Sequence, residues 1–297
     1  MPKTTHPTPT EPNQIDRIRQ LAKALKLSHI AATIEDACTR LDADPLSPEA
    51  FVQQLFAEEI RVRTERRIER LIRESKLPER KLLADFDFDF QPSLDKSLVL
   101  RLATMDFVVH GQGILFGGNS GTGKSYLAKA IALCGCKCDY RVRYTTAADM
   151  LKDLHSGLAD DSLDEKLKAY VSPSLLVIDE LGFDRLEQQT ARNAALFFKV
   201  IDGRYRRTAS SVITTNIDFE SLGQYLGDPV ATTAIADRML HHSIVINIQG
   251  PSWRLKQSEA LNQQSRQSQD SQAATPPAPS KTAPRSKKKP APRKRTR

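Results

Sequence analysis

Along the first fourteen residues apolar side chains are almost absent and four prolines recur, so residues 1–14 are expected to be disordered. From Ile15 the pattern turns helical. Ile15, Ile18, Ala22 and Leu25 fall three or four apart, and so do Ile30, Ile34, Ala37 and Leu41. The segment DPLSP (44–48) interrupts this rhythm, and Ser47 followed by Pro48 has the form of an N-cap and a first helical residue. A long helix through Phe51, Leu55, Ile68 and Leu71 is predicted to follow. Residues 15–84 therefore read as a helical N-terminal domain.

The next stretch, DFDFDFQPSLDKS (85–97), alternates with period two and is broken by Pro92, which predicts an extended connector. From about residue 98 to 257 helical and strand patterns alternate. Short apolar runs stand at 113–118, 141–146, 174–180, 211–216 and 243–248, with helical stretches near 123–135, 147–156, 188–206 and 218–241. Runs apolar on both faces fit strands sandwiched between helix layers, so an α/β fold with a five-stranded parallel sheet is predicted. Residues 258–297 turn polar, then rich in Pro, Lys and Arg, and are expected to be disordered. That leaves no space for a helical lid domain behind the sheet.

Composition changes this picture in one respect. The net charge is +8, yet residues 281–297 alone hold nine Lys or Arg and no acid. Subtracting nine from eight leaves −1 for the other 280 residues, so the global excess is a property of the tail. A second basic stretch lies inside a predicted helix: Arg61 to Lys81 has nine basic and four acidic residues. No apolar run reaches the ~20 residues of a membrane helix. The N-terminus lacks a signal-peptide apolar stretch, so a cytoplasmic location with reduced cysteines is expected.

The chemistry begins at residues 118–125. GNSGTGKS matches G-x-x-x-x-G-K-[ST] in full, with an apolar strand before it and an Ala/Leu-rich helix after it. Gly118, Asn119, Ser120, Gly121, Thr122, Gly123, Lys124, Ser125 and the adjoining Tyr126 are thus the expected ATP-binding segment. Its backbone N–H groups can face phosphate oxygens at a helix N-terminus. Lys124 would reach the β- and γ-phosphates, and Ser125 would hold Mg²⁺. The run SLLVIDE ends in Asp179 and Glu180 at what should be the carboxyl edge of the sheet, where ligands bind. Asp179 suits the metal and Glu180 the attacking water. SVITTN offers Asn216 or Thr215 at the same edge. Hydrolysis without a covalent intermediate also calls for a cation on the transferring phosphate, and Arg238 or Arg254 could supply it. Phe86, Phe88 and Phe90 are packing residues, or one of them borders the adenine.

The order and spacing of these segments carry a resemblance. The connector, GNSGTGKS, YTTAADML, LLVIDELG, ITTNIDFE, LGDPV, ADRMLHHS and GPSWR resemble the IstB-like transposition helper ATPases of insertion sequences, AAA+ proteins related to DnaC helicase loaders. The resemblance spans about residues 15–257. It implies an AAA+ core without a C-terminal lid, Asn216 as a sensor of the γ-phosphate, Arg238 as an arginine finger given to a neighbouring subunit, and Arg254 as a second sensor. It implies a homo-oligomer with ATP at subunit interfaces that binds duplex DNA, deforms it and stimulates a partner transposase. Hydrolysis would reset the assembly. A helicase loader is the alternative within the same engine. The P-loop departs from relatives in having Asn119 and Ser120 where two prolines are usual.

For DNA, the sheet's flank offers Arg141, Arg143, Lys152, Lys166 and Lys168, and the N-terminal domain offers Arg61, Arg63, Arg66, Arg67, Arg70 and Arg73. Arg63, Arg66, Arg67 and Arg70 share one side of a helix. The competing reading is a solvated face paired with Glu65, Glu69 and Glu74. Cys134, Cys136 and Cys138 lie two apart without a nearby fourth ligand, which favours small packing residues over zinc. His241 and His242 read as an exposed helix end.

Overall fold

The computed structural model describes residues 13–183, 191–259 and 261. Two compact units divide the chain, the first running to Pro251 and the second from Ser252. The first begins with three helices, α1 (Gln14–Ala24), α2 (Ser28–Ala43) and α3 (Pro48–Glu74). Ser47 caps α3 as expected, its side chain accepting from the Ala50 N–H with Pro48 at the first turn. Ala22, Ile30, Ala31 and Ile34 bury themselves together, packed by Ile15, Leu27 and Leu55. α2 lacks a side-chain cap at Leu27. Instead Glu59 of α3, itself buried, accepts from the His29 N–H at 2.8 Å and the Ile30 N–H at 3.0 Å. A carboxylate from a neighbouring helix thus satisfies donors that a helix start leaves orphaned.

The connector is not extended. It holds a 3-10 turn at Leu83–Asp85 and bonded turns, with Phe90 N–H donating to Asp87 and Leu94 N–H to the Gln91 carbonyl. The Asp87 side chain and backbone carbonyls closing local turns overrode the period-two pattern. Two short helices follow, α4 (Lys96–Leu102) and α5 (Asp106–Val109).

Next come β1 (Gly113–Gly118), α6 (Lys124–Lys137), β2 (Val142–Thr146), α7 (Ala147–Ala159), α8 (Leu163–Val171) and β3 (Leu175–Leu181). The unit is completed by α9 (Ala191–Tyr205), β4 (Ser210–Thr215), α10 (Phe219–Leu226), α11 (Pro229–Leu240) and β5 (Ser243–Ile248). All five strands pair in parallel in the order β2-β3-β4-β1-β5. The helix expected at 218–241 is two. Gly227 adopts φ 80° behind α10, and Asp228 caps a fresh helix that starts at Pro229. Helix α8 was missed by periodicity, since nine residues give barely two apolar repeats.

Both faces of the sheet are covered, which explains the continuous apolar runs. Val177 and Leu175 point to one face with Ile114, Phe116, Val212, Leu127 and Ile131. Leu176 and Ile178 point to the other with Leu115, Ile213, Met150 and Phe197. This strict alternation matters for the site, because every second strand residue faces α6. The end of α3 joins that same side: Leu71 and Ile72 are buried in the α6-side core. The Ser75 carbonyl just beyond α3 accepts from the Tyr144 N–H of edge strand β2 at 2.8 Å.

Candidate nucleotide site

The loop after β1 bends through two glycines that no other residue could replace cheaply. Gly118 has φ 130°, and a Cβ there would strike the Ile248 carbonyl. Gly123, with φ 98°, precedes α6, and a Cβ on it would lie 2.7 Å from the Phe86 ring. Phe86 also meets Phe88 (centroids 4.9 Å) and Tyr126 (5.5 Å), while the Tyr126 hydroxyl donates to the Leu82 carbonyl at 2.9 Å. Phe86 thus packs against the loop and clamps its far side. Thr122 donates to the Asn119 carbonyl at 2.9 Å. Lys124 is buried, and its ammonium donates to the carbonyls of Gly118 (2.7 Å) and Asn119 (2.6 Å), across the mouth of the loop. A glycine-built cradle with a cation folded over it fits a polyphosphate.

At the adjoining strand ends three hydroxyls converge on one carboxylate. Asp179 is buried, on the α6 face two residues beyond Val177. Its Oδ1 accepts from the Ser125 hydroxyl at 2.8 Å and from the Thr214 hydroxyl, and its Oδ2 from the Tyr144 hydroxyl at 2.5 Å. Burial, then the Asp179 charge, push the Tyr144 phenol above its ordinary range, so it remains a donor. Ser125 and Asp179, brought together from β3 and the start of α6, present hard oxygens of the kind Mg²⁺ prefers. Among the described residues no cluster of three or more His, Cys, Asp or Glu forms a metal site. The oxygen pair beside a phosphate cradle still suits magnesium, which takes one or two protein ligands and completes its shell with phosphates and water.

Glu180 stands in the left-handed region at φ 62°, where the β3–β4 register slips between Ile178 and Leu181. That bulge turns a side chain out of the alternation of the strand. The kink is held by its own N–H, which donates to Thr214 Oγ1 at 2.9 Å and to Asp179 Oδ1 at 3.1 Å. A non-glycine residue held in such a conformation is a mark of functional sites.

On β4, Thr214 makes these contacts; neither of the residues nominated there does. Thr215 turns the other way and donates to the Leu181 carbonyl at 2.9 Å, and Asn216 is exposed in the bend after the strand. Sequence reasoning missed Thr214 and Tyr144. The signal available was parity: both stand two residues after a core valine, Val212 and Val142, on the α6 face.

Arg238 is engaged within its own chain. Its Nε pairs with Asp202 of α9 at 2.9 Å, it donates to the Ala234 carbonyl at 3.0 Å, and it lies 4.8 Å over the Phe198 ring. Asp202 also holds the exposed Arg206 at 2.8 Å. Arg254 is exposed in the second unit, on the helical stretch 253–259.

Several basic residues named for DNA already hold the fold. Arg63 donates to the Lys26 carbonyl at 2.7 Å and Arg66 to the Ser28 hydroxyl at 2.9 Å, tying α3 to the α1–α2 corner. Arg67 pairs with Asp139 at 2.5 Å, and Arg61 with Glu58 and Glu65. Arg70 lies 3.9 Å from Glu74. Arg143 stacks on Tyr170, Arg141 donates to Ser172, and Lys166 is bridged to Ser156 and Asp153. Lys152, Lys168 and Arg73 are exposed. Cys136 is buried and Cys138 exposed, and burial raises the thiols of Cys134 and Cys136, as suits packing residues. His241 accepts or donates to Tyr205 at 3.0 Å.

The chain is similar in sequence to ATP-binding proteins of insertion sequences. The ATP-binding protein of insertion sequence IS5376 from Geobacillus stearothermophilus is 35% identical over 242 residues, covering 82% of this chain and 95% of the relative. That of IS232 from Bacillus thuringiensis subsp. berliner is 33% identical, covering 82% and 96%. Among solved structures, the DnaC helicase loader matches at 22% identity and a TM-score of 0.44, covering 52% of this chain and 87% of that one. A family model described as IstB-like ATP binding protein matches residues 20–261. With its P-loop motif and five-stranded parallel sheet, the family match over residues 20–261 and relatives 33% and 35% identical, the chain belongs to the IstB-like ATP-binding family of insertion sequences.

Proposed function

We propose that the protein is a magnesium-dependent ATPase that assembles on duplex DNA and there stimulates a partner transposase, hydrolysis resetting the assembly. The observation that carries the ATPase reading is the convergence of Lys124, Ser125, Asp179 and the kinked Glu180 at one sheet edge. Bound ATP with Mg²⁺ supplies a γ-phosphoryl group open to in-line attack by water, its charge partly neutralised by the ion. The loop amides and Lys124 bind and orient the phosphates. Ser125 and Asp179 would hold the ion. Glu180, set apart from the strand by its bulge, orients the water and accepts its proton.

The DNA, transposase and oligomer parts of the proposal rest on family membership, on the exposed arginines of α3 and on the nine Lys and Arg within residues 281–297. Arg238 as a finger toward a neighbouring subunit has to exchange Asp202 for that subunit's phosphate. Asn216 and Arg254 keep their proposed sensor roles. The cytoplasm is the proposed compartment; no helix among the described residues is long and apolar enough to cross a membrane.

The test is a pair of variants assayed with a fluorescent ATP analogue and by phosphate release. Lys124→Ala should lose analogue binding. Glu180→Gln should bind ATP normally, cut turnover by about a hundredfold or more, and hold DNA-bound assemblies that wild type releases. Normal turnover in Glu180→Gln would remove that residue from the site.

A further inference from the structure

The hydroxyl on Asp179 Oδ2 comes from a strand that the end of the long arginine-bearing helix α3 itself grips. Tyr144 is buried in the edge strand β2, with its ring in the α6-side core. One end of this residue, the phenol, donates to Asp179 at 2.5 Å. The other end, its backbone N–H, donates to the Ser75 carbonyl at 2.8 Å. Ser75 is fully buried and is the C-cap of α3. Its own hydroxyl donates to the Ile72 carbonyl at 2.6 Å, and Lys76 beyond it adopts φ 57°, which ends the helix there. Leu71 and Ile72 are buried beside it, and Arg67 one turn earlier pairs with Asp139, in the turn between α6 and β2. The last turns of α3 are therefore seated on the ATPase core at fixed points.

We propose that Tyr144 is a positioning residue that links the end of α3 to the magnesium carboxylate, so that what binds α3 sets the readiness of the ATP site. This rests on the ATP-site reading above. With Oδ2 held by Tyr144, Asp179 cannot rotate, and Oδ1 stays turned toward Ser125. A shift of the α3 C-terminus carries the Ser75 carbonyl with it. β2 is at the sheet edge, with β3 its single strand neighbour among the described residues, so its register at Tyr144 has more freedom to follow than a central strand would. The connection is three bonded residues long, through packed and buried groups, which is the kind of path along which two sites can couple. A coupling of this kind is reciprocal: magnesium-nucleotide must alter DNA affinity as much as DNA alters magnesium-nucleotide affinity.

The test uses the full-length protein, a fluorescent non-hydrolysable ATP analogue and a labelled duplex. Tyr144→Phe keeps the ring and removes the hydroxyl. It should bind the analogue without magnesium as wild type does, while the gain in affinity from adding magnesium falls about tenfold, the loss of one hydrogen bond to a charged group. The change in duplex affinity that the magnesium-analogue complex produces in wild type should vanish. Retention of both the magnesium gain and the duplex shift overturns the proposal. A lost magnesium gain with the duplex shift intact overturns the link to α3, as does a wild-type duplex affinity indifferent to magnesium-nucleotide. Failure of wild type to bind the analogue at all strikes instead at the ATP-site reading. If Tyr144→Phe does not fold, hydrogen exchange on wild type decides: protection of the Tyr144 amide should change when duplex binds, and an unchanged rate overturns the relay.

Discussion

Thr214 does two jobs with one hydroxyl: it donates to Asp179 and accepts the Glu180 N–H at 2.9 Å. Without that acceptor, Glu180 loses a bond that holds its left-handed backbone, a conformation that costs about 1–3 kcal/mol for a non-glycine residue. Thr214→Val keeps the shape and removes both bonds. Its turnover should fall about ten- to a hundredfold, equivalent to roughly 1.4–2.7 kcal/mol of barrier, while analogue binding stays near wild type. Thr214→Ser should recover most of the rate, and equal rates in all three proteins would show the bulge to be held by other means. Residue identities at the loop and at Asp179–Glu180 could be read from the sequence because motif and context coincide. Thr214 could not, because a polar strand end was read as starting at its last residues. Asn216 and Thr215 are later in the chain, but the bulge opposite them and the alternation of faces hand the contact to the residue before.

At the scale of elements, the strands emerged within a residue or so of their predicted places because both faces of the sheet are buried. Where helices begin and end was less legible wherever the cap came from elsewhere. α2 shows why: its start is satisfied by Glu59, about thirty residues on in sequence, and no local pattern announces that. Burial works to raise the Glu59 carboxyl, yet the Ile30 and His29 amides and Arg63 outweigh it and hold the group below its usual range. A depressed folded value means that the stabilisation is complete above the unfolded carboxyl pKa of about 4.3 and is lost as pH falls through the folded one. Glu59→Ala leaves two helix N–H groups without their acceptor. Denaturant unfolding of the full chain should show it less stable than wild type by about 1–3 kcal/mol near neutral pH. The difference should shrink below about pH 4 as wild-type Glu59 protonates. A gap independent of pH would mean that packing, and not the carboxylate, fixes α2.

For the whole molecule, the distribution of positive charge separates two kinds of proposed DNA contact. Residues 281–297 hold nine cations, more than the net +8 of the chain, and they lie beyond the family match, which ends at 261. The basic residues of α3 belong to the unit that carries the ATP site, and Arg63, Arg66 and Arg67 are already spent on internal bonds. Proposed phosphate contacts by the cations of residues 281–297 would act through counterion release, with log affinity falling by about 0.9 per phosphate contact against log salt. Proposed contacts by α3 would instead respond to nucleotide through Ser75 and Tyr144. Removing residues 262–297 should therefore weaken duplex binding most at low salt and flatten the salt dependence, while magnesium-nucleotide affinity and the nucleotide-dependent shift in duplex affinity persist. Fluorescence anisotropy of a labelled duplex across a salt series, with and without magnesium-analogue, measures all of these. Should the nucleotide-dependent shift disappear with the tail, the DNA contact that the ATP site governs lies in the tail, and α3 is a structural strut whose arginines serve the fold alone.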